Sequence, residues 1–357
     1  MRFVIPIILF ILFGGCGTDS DPGSAKISLE GSFAQAGLPG LKVNTFNQFE
    51  GNVYVATDGG LYRTQLGNKE KSWESLGLIE ENVADIVFLP QGELMVAISL
   101  IFINDGEPTL FLSKDEGQSW QTWVNNYGGE TGEYTFISSL ATPTTPSDTI
   151  FAHGADRTVA RSVDGGQLWE LVTGRWDNFG GASRSVYINA SQQETIWISG
   201  ATALGQPYIL KSKNNGESWD DLNILENVEA ICFDIITPLN NRNVVLAGLG
   251  SGFAQALVIR KSTDGGQTWG TVFEGINTFT LAQSPKDDRV VYASGVNARG
   301  QLFFIASNDF GDSWQTVEFE GGPTQIQVND MISVMQNGKE VLYFGTNKGL
   351  YSFTFEN

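Results

Sequence analysis

One short phrase recurs down the chain at an almost constant interval. It reads SKDEGQSW (Ser113 to Trp120), SVDGGQLW (Ser162 to Trp169), SKNNGESW (Ser212 to Trp219), STDGGQTW (Ser262 to Trp269) and SNDFGDSW (Ser307 to Trp314), and an eroded sixth copy ends at Ser72-Trp73. The tryptophans fall at 73, 120, 169, 219, 269 and 314, so the steps are 47, 49, 50, 50 and 45 residues. A period of that size marks an array of similar units, each burying its apolar face against its neighbours.

Two short apolar stretches precede each phrase, for example Val53-Tyr54-Val55-Ala56 and Leu61-Tyr62-Arg63-Thr64. They are β-branched or aromatic and are bounded by Gly, Asn and Asp, which is the signature of strands. The tryptophan opens another strand, and one more lies before the next copy, as in Ala84 to Leu89. Four strands per unit is the blade of a β-propeller. No stretch has a 3.6-residue amphipathic period, so the expected class is all-β. A seventh strand pair, Val341 to Phe344 and Leu350 to Phe355, echoes the first but has no outer strand after it. Counting back from Val53 by the usual spacing lands on Lys26-Ile27-Ser28-Leu29-Glu30. The sequence therefore predicts seven blades, with the N-terminal strand completing the last one and removing the free sheet edges. A six-bladed ring with a spare hairpin is the alternative.

Each residue of the phrase has a mechanical use. The carboxylates of Asp115, Asp164, Asp264 and Asp309 can accept bonds from N–H groups of their own turn. The following glycine permits a positive φ. Trp120, Trp169, Trp219, Trp269 and Trp314 can bury their rings between blades. The spacing supplies no EF-hand, so the acidic turns are read as structural and no metal site is expected. The phrase resembles the Asp-box, or BNR repeat, of sialidase-like propellers, over about residues 45 to 355. Asn214 replaces the Asp of one copy and Leu168 the Ser or Thr of another. The resemblance implies a fold and no particular activity.

The chain opens with Met1-Arg2, an apolar run from Phe3 to Phe13, and Gly14-Gly15-Cys16. This pattern describes a bacterial secretory signal. The cysteine after small residues resembles a lipobox, which implies acylation of Cys16. The expected division is a lipoprotein signal peptide at 1–15, the lipidated cysteine and a flexible tether at 16–25, and a propeller at 26–357. The expected location is the bacterial cell envelope, at the outer membrane or cell surface. The other cysteine, Cys232, sits in an apolar run and reads as core. A net charge of −19 argues against nucleic acid as a partner. A monomer is expected.

Catalytic signatures are sparse. The single histidine, His153, ends a strand motif and reads as structural. A sialidase would need an arginine trio, a Tyr–Glu pair, an Asp acid and an Arg-Ile-Pro tripeptide, and the tripeptide is absent. Endo-xyloglucanases, which also carry seven-bladed Asp-box rings, place two of them face to face, whereas this chain has room for one. Function is expected on the face opposite the repeated turns. Three long connections belong there: Ser99 to Thr109, Val124 to Glu133 and Thr173 to Ser183. Trp176 fits no repeat position, and with Arg175 and Asp177 it forms an aromatic and charged cluster. Tyr127, Arg157, Arg184 and Arg299 are the nearby candidates for ligand contact. The first reading is a surface-anchored, non-catalytic lipoprotein that binds a protein or glycan without a cofactor. The alternatives are a glycan-active hydrolase of the sialidase or glycosidase type, and an assembly factor resembling the photosystem II assembly lipoprotein family.

Overall fold

The computed structural model describes residues 30–67, 72–99, 109–127, 137–143, 146–154, 158–173, 183–188, 194–202, 204–224, 229–238, 241–251, 258–297, 299, 301–320 and 326–356. Every regular element among them is a β-strand. The first, β1, covers Glu30–Gly37. Blade 1 follows as β2 (Val43–Phe49), β3 (Asn52–Thr57), β4 (Gly60–Gln65) and β5 (Glu74–Ser75). Blade 2 is β6 (Val83–Phe88), β7 (Leu94–Ile98), β8 (Leu110–Ser113) and β9 (Gln121–Thr122). Blade 3 is β10 (Ile137–Ala141), β11 (Ile150–Gly154), β12 (Val159–Ser162) and β13 (Glu170–Thr173). Blade 4 is β14 (Ser183–Ile188), β15 (Ile196–Ala201), β16 (Pro207–Ser212) and β17 (Asp220–Asn223). Blade 5 is β18 (Ile231–Ile236), β19 (Val245–Gly250), β20 (Val258–Ser262) and β21 (Gly270–Glu274). Blade 6 is β22 (Ile276–Gln283), β23 (Val291–Asn297), β24 (Leu302–Ser307) and β25 (Gln315–Thr316). Then come β26 (Glu318–Glu320), β27 (Val328–Gln336), β28 (Lys339–Thr346) and β29 (Gly349–Phe355).

Six sheets have four strands in sequence order, and the seventh has the order β26-β1-β29-β28-β27. The first strands β2, β6, β10, β14, β18, β22 and β27 each touch the next, and β27 touches β2. The result is a seven-bladed β-propeller, as the repeat period predicts. The N-terminal strand does complete the last blade: its described part runs over Glu30–Gly37, further along the chain than the spacing suggests, and residues 26–29 lie outside the described residues. It pairs antiparallel with β29 from Gly31↔Phe355 to Gly37↔Leu350. Phe33 explains the placement: its ring packs 4.8 Å from Phe344 and 5.0 Å from Phe353, in the core between blades 6 and 7. The parallel strand β26 covers the outer edge of β1, an addition that the repeat does not announce.

The repeated turns join third to fourth strands. In the copy at Ser307, the serine hydroxyl donates to Asp309 Oδ1 at 2.7 Å and accepts from Gly311 N. Asp309 in turn accepts from Ser313 N and its hydroxyl, at 2.9 and 2.6 Å. Asn214 preserves the geometry with its polarity split: Oδ1 accepts from Ser218 N while Nδ2 donates to the Ser218 hydroxyl. Leu168 keeps only the backbone bond, to Asp164 Oδ1. Antiparallel alternation places these turns and the first-to-second hairpins at one end of the ring. The second-to-third and fourth-to-first connections lie at the other end, called here the loop face.

Each turn also packs back on the preceding blade. A Cβ on Gly266, whose φ is +94°, would lie 2.7 Å from Leu222 and 3.3 Å from Trp197. The basic residue before the phrase's serine, or before Thr64 in blade 1, makes the reverse connection. Arg63 meets Glu116 at 3.3 Å, Arg161 donates to Asn215 O at 2.8 Å, and Lys211 donates to Gly265 O at 2.8 Å. All three acceptors occupy the fourth position of the next blade's turn. Lys261 does the same two residues further on, to Asp312 at 2.7 Å.

Candidate functional site

The mouth of the ring on the loop face is built by a device common to all seven blades. Every first strand carries a bulge near its start, between Val43 and Thr45, Val83 and Asp85, Ile137 and Ser139, Ser183 and Ser185, Cys232 and Asp234, Thr278 and Thr280, and Val328 and Asp330. A bulge re-aims side chains and leaves local backbone groups off the ladder. The residue closing each bulge is Asp, Ser or Thr in every blade.

The three carboxylates bond across blade boundaries. Asp85 accepts from Ile86 N and Asn47 Nδ2 on Oδ1, and from Leu140 N (2.8 Å) and the Ser139 hydroxyl on Oδ2. Asp234 accepts from Ile235 N on one oxygen and Leu281 N on the other, both at 2.8 Å. Asp330 accepts from Met331 N at 2.7 Å, and from Phe46 N and the Thr45 hydroxyl at 2.8 Å. Blades 2 and 3, 5 and 6, and 7 and 1 are joined in this way. Burial pushes Asp85 up to about 6 and Asp234 up to about 7, with the nearby Asp330 charge adding to the latter. Burial also raises Asp330. Backbone N–H bonds pull in the opposite direction in all three.

The residues within the bulges differ from blade to blade. Asn44 donates to Val83 O at 2.7 Å, and Asn329 donates to Val43 O at 2.8 Å, so these two tie blades together. Phe233 and Phe279 instead meet edge-on at 4.9 Å and remain partly exposed. Arg184 stands at the same register position in blade 4. The mouth is thus polar on one side and aromatic on the other.

The fold distributes the sequence-derived candidates as follows. Arg299 is exposed in the turn between β23 and β24 on the loop face, its N–H bonded to Asn297 Oδ1. Tyr127 packs its ring edge-on against Trp169 at 5.4 Å, and the chain before it runs along the blade 3 turn through Asn126. Arg157, Arg175, Trp176 and Asp177 lie outside the described residues, as does Cys16. The segment holding Trp176 joins Thr173 to Ser183, two positions on the loop face. His153 is fully buried, with Nε2 3.3 Å from the Tyr208 hydroxyl. Cys232 is buried too, and burial pushes its thiol up. Among the described residues no group of three or more His, Cys, Asp or Glu could hold a metal.

A tyrosine–glutamate pair does exist, with Tyr292 donating to Glu340 at 2.9 Å. Both side chains are buried at the aspartate-turn end, and Glu340 also accepts from the Ser333 hydroxyl. Burial raises the phenol, and the carboxylate's charge raises it further, which disfavours a phenolate nucleophile.

No family model matches the chain, and no curated protein matches it. Solved structures do. The Niastella koreensis GH74 enzyme aligns with a TM-score of 0.64 at 17% identity over 90% of this chain and 53% of the other. The chain thus spans about half the length of that enzyme. YCF48 bound to D1 peptide aligns at 0.62 and 13% over 92% of this chain and 97% of the other. The extracellular domain of the one-component system BT4673 from B. thetaiotaomicron aligns at 0.62 and 11%, over 92% and 40%. At these identities the likeness establishes the propeller fold.

Proposed function

We propose that this ring is a non-catalytic binding module that holds a protein or glycan partner on its loop face. The observation that carries the reading is the state of the three bulge carboxylates, Asp85, Asp234 and Asp330. Each has both oxygens occupied, one by the N–H of the next residue in its own strand and the other by an N–H of the neighbouring blade. Acids used in this way are poorly placed to give a proton to, or attack, a bound sugar. The aromatic pair Phe233–Phe279 at the mouth, beside the position of Arg184, suits recognition of an apolar group. Trp176, Arg175, Asp177 and Arg157 are proposed as further contacts from the sequence alone, and Arg299 is exposed on the same face.

The finer assignment follows the sequence. The turns belong with the Asp-box repeats, and residues 1–15 act as a lipoprotein signal. Cys16 is the acylated anchor and 16–25 the tether, so the ring at 26–357 sits at the bacterial envelope surface.

A glycan hydrolase is the second reading, favoured by the likeness to GH74. An assembly factor is the third, favoured by the near-complete overlap with YCF48, whose solved complex holds a peptide. Incubating the protein with sialosides and polysaccharides, with products read by mass spectrometry, separates the first reading from the second. Binding without product at high protein concentration, weakened about tenfold by Trp176→Ala, is expected. Sugar release that is lost on replacing a loop-face acid overturns it.

A further inference from the structure

We propose that the protein, once anchored, turns its aspartate-turn face toward the lipid surface and presents its loop face away from it. The inference rests on the anchor at Cys16 proposed above, and it follows from the direction of β1. In each blade the third strand leaves the loop face and ends at the aspartate-turn end. In blade 7 that strand is β29, which starts after the Thr346–Gly349 turn and ends at Phe355. β1 pairs antiparallel with it, so Gly31 lies opposite Phe355 and Gly37 opposite Leu350. Glu356 N donates to Glu30 O at 3.0 Å, which fixes both segments at the same end. The chain therefore enters the ring at the aspartate-turn face, on the rim of blade 7.

Length turns this direction into an orientation. Thirteen residues, Gly17 to Leu29, separate the cysteine from β1. They reach at most roughly 45 Å. The eight-residue strand β1 crosses the ring from one face to the other, a rise of about 26 Å. A lipid surface on the loop face would require the connection to run back along the whole of β1. That detour would use more than half of the available reach, whereas the near face needs none. Glu30, Glu318, Glu320 and Glu356 are exposed around the entry point, so charge attraction to anionic lipid does not set the geometry.

Blade 4 offers two exposed positions at opposite ends. Glu217 is in the aspartate turn, and Leu204 is in the second-to-third connection. The acylated full-length protein carrying Glu217→Cys or Leu204→Cys is labelled with a fluorophore and reconstituted on phosphatidylcholine vesicles containing a headgroup quencher. Quenching at least twofold stronger at 217 than at 204 is expected. Flotation with the vesicles, lost in Cys16→Ala, is measured in parallel. Flotation with equal quenching, or with stronger quenching at 204, overturns the orientation alone. Failure of the wild-type protein to float overturns the anchor and the orientation with it.

Discussion

The aspartates at the bulges, Asp85 buried and Asp234 and Asp330 half-buried, are where single residues matter most. Asp330→Ala leaves Phe46 N, Met331 N and the Thr45 hydroxyl without their acceptor. Unsatisfied donors of this kind cost about 1–3 kcal/mol each, so a loss of at least ~3 kcal/mol is expected in denaturant unfolding. The same residues give a pH dependence. Asp85 and Asp234 have folded values raised to about 6 and about 7, above the ordinary value near ~3.9 for an unfolded chain. Their contribution is full below the unfolded value and is lost as pH rises through the folded ones. The turn aspartates have the opposite sign. Asp264 is held down to about 2 by the Thr268 hydroxyl and N–H, so its contribution is lost only as pH falls toward that value. Between pH 4.5 and pH 8 the denaturation midpoint should therefore fall, and fall less in Asp234→Asn. A flat or rising midpoint over that window would contradict these assignments.

At the scale of the element, the turn and its tryptophan act together. Trp169 Nε1 donates to Gly166 O at 2.9 Å, whereas Trp314 Nε1 is buried with no acceptor among the described residues. Trp169→Phe should consequently cost about 1 kcal/mol more than Trp314→Phe, the worth of one such bond, as read by thermal unfolding. Gly266→Ala should be worse than Gly40→Ala, although both have positive φ. The methyl group at 266 meets Leu222, while that at 40 meets nothing within 4 Å. A difference of about 1–3 kcal/mol is expected from overpacking. The turns were legible in the sequence because their residues act locally, within eight positions. The bulge residues were not, although a Val or Ile two before an Asp, Ser or Thr marks four of the seven blades. That pattern also fits ordinary strand alternation, and its meaning appears only when neighbouring blades meet. The basic residue before the serine was missed for the same reason, since its partner lies about 50 residues on.

For the whole molecule, closure depends on a strand from the far end of the chain. Phe33 supplies the aromatic anchor, so Phe33→Ala should cost about 3–5 kcal/mol and loosen blade 7 in hydrogen exchange before the rest. Seven blades could be counted from strand pairs alone. The exact span of the closing strand could not, because Phe33 carries no periodic mark. The candidate face was legible only as a set of connections, since an irregular loop has no repeat to align it. The most direct test of the account places a photo-crosslinking residue, one site at a time, at Trp176, Leu204, Arg299 and Glu217 in the native envelope. Partner adducts from the first three sites and none from Glu217 are predicted. Adducts from Glu217 alone would contradict the account.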